Sequence, residues 1–240
     1  MNLLAIDTAT SILSVALACK NEVYQFEADS PMKHSELIMD SIDMLMKKAC
    51  LKPADLQGLL CMGGPGSFTG LRIGFSTAKG LALPLGIPFT AIPSLDCIAS
   101  MSPGAGLVIP VIDAKKKSFY FALYLDGERL GPDMDAGPRQ IAAAIRETVA
   151  APCRPAEPPM VNLTGPDAQM LCDKLLEDDA SLADSINFTV EPPRGYACGL
   201  IDLAKKNKLF DTTDPSWLFK GPEYIRKSDA ELNLGGAPVP

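Results

Sequence analysis

Short apolar runs broken by polar turns dominate the opening of the chain, and three strands follow from that pattern. Leu3–Asp7 is apolar and closed by an acid. Ile12–Cys19 is rich in β-formers, and Asn21-Glu22 reads as a tight turn into a third strand over 23–26. After a loop over 28–33 the period changes. Residues 35–51 repeat at helical spacing, with Ser35 as the expected N-cap and Glu36 in the first turn. At about 100° per residue, Ile38, Met39, Ile42, Leu45, Met46, Ala49 and Cys50 share one arc. Leu37, Met44 and Leu51 form a second stripe. A helix on a sheet needs only one apolar stripe, so the second predicts a further packing partner.

A buried strand is expected over 58–62 and a helix over 69–83, stopped by Pro84. On that helix Gly70, Gly74, Ala78 and Ala82 recur every four residues. A mid-helix glycine costs about 1 kcal/mol against alanine, so something must approach this bare ridge closely. Either the chain's own sheet or a partner helix would do. A strand over 87–92 and a short helix from Ser94 follow. Ser102-Pro103-Gly104-Ala105-Gly106 is the best boundary between lobes, giving 1–103 and a smaller 104–240.

Beyond it the opening pattern returns. Leu107–Asp113 is again an apolar strand ending in aspartate, 118–125 alternates, and Asp126-Gly127 suits a hairpin turn. Helices are expected over 138–150, 167–177 and 195–206, with strands over 160–163 and 186–190. The proline-rich stretch 151–159 reads as an extended loop, 221–225 as a last strand and 235–240 as a frayed end.

Charge and composition narrow the function. Hydrophobic residues make up 47% and charged residues 21%, an ordinary globular balance. A net charge of −7 argues against a stand-alone nucleic-acid or anionic-membrane binder. No apolar run is long enough to span a bilayer, and the N-terminus lacks the basic start of a signal peptide. The seven cysteines are odd in number and form no C-x-x-C pair, as expected of reduced thiols in a cytoplasmic chain. His34 is the one histidine, which excludes any site needing two imidazoles from this chain.

The sharpest candidate for chemistry is Gly63-Gly64-Pro65-Gly66-Ser67-Phe68-Thr69-Gly70, set between a strand and a helix. Such a turn presents backbone N–H groups to an anion. Gly64, Gly66, Ser67, Thr69 and Arg72 are the candidate phosphate contacts there. It is neither a P-loop nor a G-x-G-x-x-G turn. Asp7 and Thr8 close one strand, Asp113 the equivalent strand, and two such acids would face one cleft between lobes. The plain alternative is that each aspartate caps its own turn.

Three segments carry a resemblance: Leu4-Ala5-Ile6-Asp7-Thr8-Ala9-Thr10, His34-Ser35-Glu36-Leu37, and the glycine-rich turn continuing through Leu71-Arg72-Ile73-Gly74. With Ala78-Lys79-Gly80-Leu81-Ala82 and Pro222-Glu223-Tyr224-Ile225-Arg226, they resemble the bacterial TsaB (YeaZ) family. The match is strong over 1–125 and thin over 126–215. It implies an α/β fold of the actin-like, sugar-kinase/Hsp70 type with two related lobes. It also implies a role in forming N6-threonylcarbamoyladenosine beside the tRNA anticodon, as the non-catalytic paralogue of TsaD.

The resemblance further implies a heterodimer with a TsaD-type protein, docking of a TsaE-type ATPase, and a homodimer when alone. ATP or ADP, metal and most tRNA contacts would then belong to the partners. Where TsaD-like chains carry an H-x-x-x-H metal motif, this chain has Ser94 and Ile98, so no metal of its own is expected. The family's partner contact uses the first two helices, which makes Leu37, Met44, Gly70, Gly74 and Ala78 the interface candidates here. The rival reading is an independent nucleotide-dependent phosphotransferase using Asp7, Asp113 and the glycine-rich turn.

Overall fold

The computed structural model describes residues 1–30, 33–102, 106–150, 159–210 and 219–225. The first sheet is built from β1 (Leu3–Asp7), β2 (Ile12–Cys19), β3 (Glu22–Asp29), β4 (Gly58–Gly64) and β5 (Phe89–Pro93), in the order β3-β2-β1-β4-β5. The first three strands run antiparallel to one another, while β4 and β5 run parallel to β1. Parallel neighbours need crossovers. These are α1 (His34–Lys48) between β3 and β4, and α2 (Phe68–Leu85) between β4 and β5.

The second sheet repeats the plan. Its strands are β6 (Leu107–Asp113), β7 (Phe119–Phe121), β8 (Tyr124–Leu125), β9 (Glu128–Arg129), β10 (Met134–Ala136), β11 (Met160–Thr164) and β12 (Asn187–Val190). The main order is β10-β7-β6-β11-β12, with β8 and β9 as a side hairpin. Antiparallel and parallel neighbours fall in the same places as in the first sheet. This duplication is the actin-like two-lobe arrangement.

Layering explains the burial. Leu4, Ile6, Val15 and Leu17 pack on α1 and α2. The opposite faces, Leu3, Ala5, Ala16 and Ala18, pack on α3 (Ser94–Ser100) and α7 (Ala197–Lys206). Covered on both sides, β1 is buried throughout. Leu107, Ile109, Val111, Phe119 and Phe121 pack on α4 (Pro138–Val149) and α5 (Ala168–Asp178). Val108 and Ile112 point the other way and join the core shared with the first lobe. Thus α7, from the end of the chain, completes the first lobe, whereas the sequence assigned everything from 104 onward to the second.

Several local expectations shift. The third strand is longer than 23–26, because its polar residues alternate outward on a sheet edge. The first helix begins at His34 after Lys33, so Ser35 is inside it and caps nothing. Pro84 lies within α2, and the helix ends one residue later at Leu85, capped by Gly86, whose φ of +64° closes the turn. Ser94 lies inside α3, which Pro93 precedes. The alternating run 118–125 breaks into β7 and β8. Residues 221–225 form no strand. Strand β10 and the short helix α6 (Leu182–Ser185) were not foreseen. The lobe boundary at 103–105, the proline-rich loop over 151–158 and the tail from 226 lie outside the described residues.

Candidate functional site

The turn between β4 and α2 is shaped by what it must touch. Ser67 caps α2, its hydroxyl accepting from the Gly70 N–H at 3.2 Å. The Ser67 N–H reaches back to the Ala9 carbonyl at 2.8 Å. The Thr8 hydroxyl donates to the Gly70 carbonyl at 2.7 Å. A Cβ on Gly70 would collide with the Thr8 carbonyl oxygen, and one on Gly74 would lie 2.6 Å from the Thr8 Oγ1. The bare ridge of α2 is therefore filled by the end of β1. Gly70, Gly74 and Ala78 are buried inside their own chain and are not open to a second protein in this conformation.

Asp7 and Asp113 end equivalent strands but do not face one cleft. Asp7 is fully buried, accepting from the Ala9 N–H at 2.9 Å and the Tyr196 N–H at 3.2 Å. Burial lifts its carboxyl to about 7; the two N–H bonds oppose the rise and the charge of Glu27 adds to it. Asp113 lines a cavity of about 670 Å³ between the lobes, with Gly66, Ser67 and Thr69 across from it. Its carboxylate holds the Lys115 N–H and ammonium, each at 2.8 Å. Burial pushes Asp113 up, but Lys115 outweighs this and keeps the carboxyl below its ordinary value.

The second acid of the cleft is Asp167, which accepts the Asp113 N–H at 2.8 Å and is raised mainly by burial. Sequence reading missed it, although the signal was present. Gly165-Pro166-Asp167 after β11 matches Gly64-Pro65 after β4, and the two glycines have φ of +114° and +116°. His34 also lines this cavity, its Nε2 lying 3.2 Å from the Ser11 carbonyl oxygen.

Gly64 and Arg72 turn away from the cleft toward residues 219–225. The Glu223 N–H donates to the Gly63 carbonyl at 2.8 Å, and a Cβ on Gly64 would strike the Glu223 carbonyl oxygen. The Arg72 Nε donates to the Tyr224 hydroxyl at 3.2 Å, and the Lys79 ammonium bonds the Lys220 carbonyl. Half of the glycine-rich motif thus faces the cleft and half seats this late segment. Ser94 and Ile98 are spent on structure: the Ser94 hydroxyl accepts the Gly64 N–H at 3.2 Å, and Ile98 is buried in the shared core.

A second cavity, of about 900 Å³, lies beside β5, α3 and α7. Arg129 on its wall already bonds Asp96, Asp133 and the Gly131 carbonyl. That saturated network reads as a brace between the lobes.

Comparisons with known proteins agree with this geometry. A family profile described as TsaD, tRNA N6-adenosine threonylcarbamoyltransferase, matches residues 29–167. The chain is 36% identical over 126 residues to the tRNA threonylcarbamoyladenosine biosynthesis protein TsaB of Bacillus subtilis. The chain belongs to the TsaB/YeaZ family. That alignment covers 52% of this chain and 55% of the Bacillus protein, so the match spans about half the length of the curated TsaB relative. An uncharacterized protein of Mycobacterium tuberculosis is 34% identical over 158 residues, covering 61% of this chain and 74% of that one. Among solved structures, an uncharacterized Pseudomonas aeruginosa protein with similarity to peptidase YeaZ superposes with a TM-score of 0.73 at 23% identity. It covers 94% of this chain and 99% of its own, and shows the fold. The profile match, residues 29–167, takes in α1, the glycine-rich turn, α2 and Asp113.

Proposed function

We propose that this chain is a non-catalytic scaffold and activator in the formation of N6-threonylcarbamoyladenosine on tRNA, working by pairing with a TsaD-type enzyme in the cytoplasm. The observation that carries the reading is the outer face shared by α1 and α2. Met44 is 46% exposed and Leu37 half-buried on α1. On α2, Ile73, Thr77 and Gly80 fall at helical spacing along one partly open flank. Gly80 supports the reading: a Cβ there would meet nothing within 4 Å. A glycine that costs about 1 kcal/mol in mid-helix, with no contact in its own chain to require it, suits the close approach of a partner helix. The contact set is therefore Leu37 and Met44 with Ile73, Thr77 and Gly80. In the absence of the enzyme, the same face would pair two copies of this chain.

The burial of Asp7, Ser94 and Ile98 in structural roles favours placing nucleotide, metal and chemistry on the partners, the TsaE-type ATPase among them. The test is co-purification with a TsaD-type protein. Met44→Glu and Gly80→Leu are expected to reduce association at least tenfold without changing the fold. Undiminished association in both, or threonylcarbamoylation of tRNA by this chain alone, would overturn the reading.

A further inference from the structure

The exposed start of α2 carries a cluster outside the partner face, at the rim of the cleft, whose wall Phe68 shares. The rings of Phe68 and Tyr224 lie 5.0 Å apart between centroids, tilted by 37°, and each residue is 41% exposed. The Arg72 guanidinium sits 3.8 Å over the Phe68 ring, while its Nε holds the Tyr224 hydroxyl. No carboxylate pairs with Arg72 among the described residues. Residues 58–95 contain no Asp or Glu, in a chain whose net charge is −7. The first-turn N–H groups of Phe68 and Thr69 have no partner within the helix.

We propose that this cluster is a landing surface for a single-stranded RNA segment. Bases stack on the Phe68 and Tyr224 rings, and phosphates meet Arg72 and the start of α2. An aromatic face accepts any unpaired base, a stacked guanidinium adds a cation, and on the α2 side no acid opposes the phosphates, while Glu223, beside Tyr224, sets an acidic edge to the surface. Paired bases in a duplex keep their faces covered and gain only the charge term. Three half-exposed side chains are too small an area for a stable protein interface, which needs about 800 Å² per partner, so a strand of RNA fits better than a folded protein. The RNA's source rests on the tRNA pathway proposed above; the surface chemistry does not.

The test is fluorescence anisotropy of a labelled oligoadenylate with the full chain at low salt. Saturable binding is expected, weakening with salt at a log–log slope near −2 if about three phosphates are met. Phe68→Ala and Arg72→Gln are each expected to weaken it by about fivefold or more. Tyr224→Phe keeps the ring and is expected to stay within about twofold of the parent. Absence of saturable binding, equal affinity for a duplex of the same length, or unchanged affinity in both variants would overturn the proposal. So would variants that bind RNA normally but lose the TsaD-type protein, since that would make the surface a protein dock. Co-purification of the parent chain with that protein is scored separately, so the two readings can fail independently.

Discussion

The two lobes share a strand order, a parallel/antiparallel pattern and a glycine near +115° at the same turn, yet their strand-end aspartates behave in opposite ways. Asp7 is sealed under Tyr196 at the start of α7 and titrates near 7. Asp113 stays at the cleft, held by Lys115 and shifted down. Duplicated backbone geometry does not carry duplicated chemistry. What later elements cover each strand end decides whether a carboxylate is a surface charge or a buried proton carrier.

The strongest way to break the comparison is at its shared glycines. A Cβ at Gly165 would drive into the Val111 carbonyl oxygen, inside the sheet, at a φ of +114°. Gly165→Ala is expected to destabilise by about 4 kcal/mol in urea unfolding, combining backbone strain and overpacking. At Gly64 the obstacle is Glu223, on a segment that belongs to no sheet. Gly64→Ala is expected to cost about half as much and to raise the rate of limited proteolysis near residue 223. Equal costs and no change in proteolysis would show that the segment is as firmly held as the sheet.

The aspartates sharpen the contrast through pH. Unfolded, Asp7 loses its proton near 3.8; folded, near 7. Between those values the folded chain holds the extra proton, so its stability falls as pH rises from about 4 to 7 and stays lower above. Asp7→Asn cannot ionise. Its stability relative to the parent is expected to rise across that window by up to about 4 kcal/mol, measured by urea unfolding at pH 4.5 and 8. Asp113 has the opposite sign, since its folded value is depressed. Asp113→Asn is expected to cost about 1 kcal/mol or less at pH 7, the pair with Lys115 being solvent-screened. That cost should vanish as pH falls below the ordinary carboxylate range. A parallel pH response in the two variants would refute the inequivalence of the lobes.

Much of this was legible in the chain. Leu3–Asp7 and Leu107–Asp113 are apolar runs closed by aspartate, and periodicity marked α1, α2 and α5. The repeat itself was visible, and it agrees with the actin-like fold that the family resemblance implies. What escaped depended on distant partners. Nothing near Gly70 says that Thr8 fills its notch, 62 residues away. Nothing near Asp7 announces Tyr196, 189 residues on. The ridge was therefore open to a partner helix on paper, while the exposed flank at Gly80 looked like ordinary helix surface. Asp167 was recoverable, since Gly-Pro between a strand and a helix occurs in both halves.

The return of α7 to the first sheet has a bearing on how the protein is made. Ribosomes deliver β1 and β2 among the earliest residues, yet the cover over Leu3, Ala5 and Ala16 is completed only when residues 197–206 emerge. Throughout most of translation the leading half waits with one greasy side partly bare, so premature termination before that helix would leave a nascent product prone to clump.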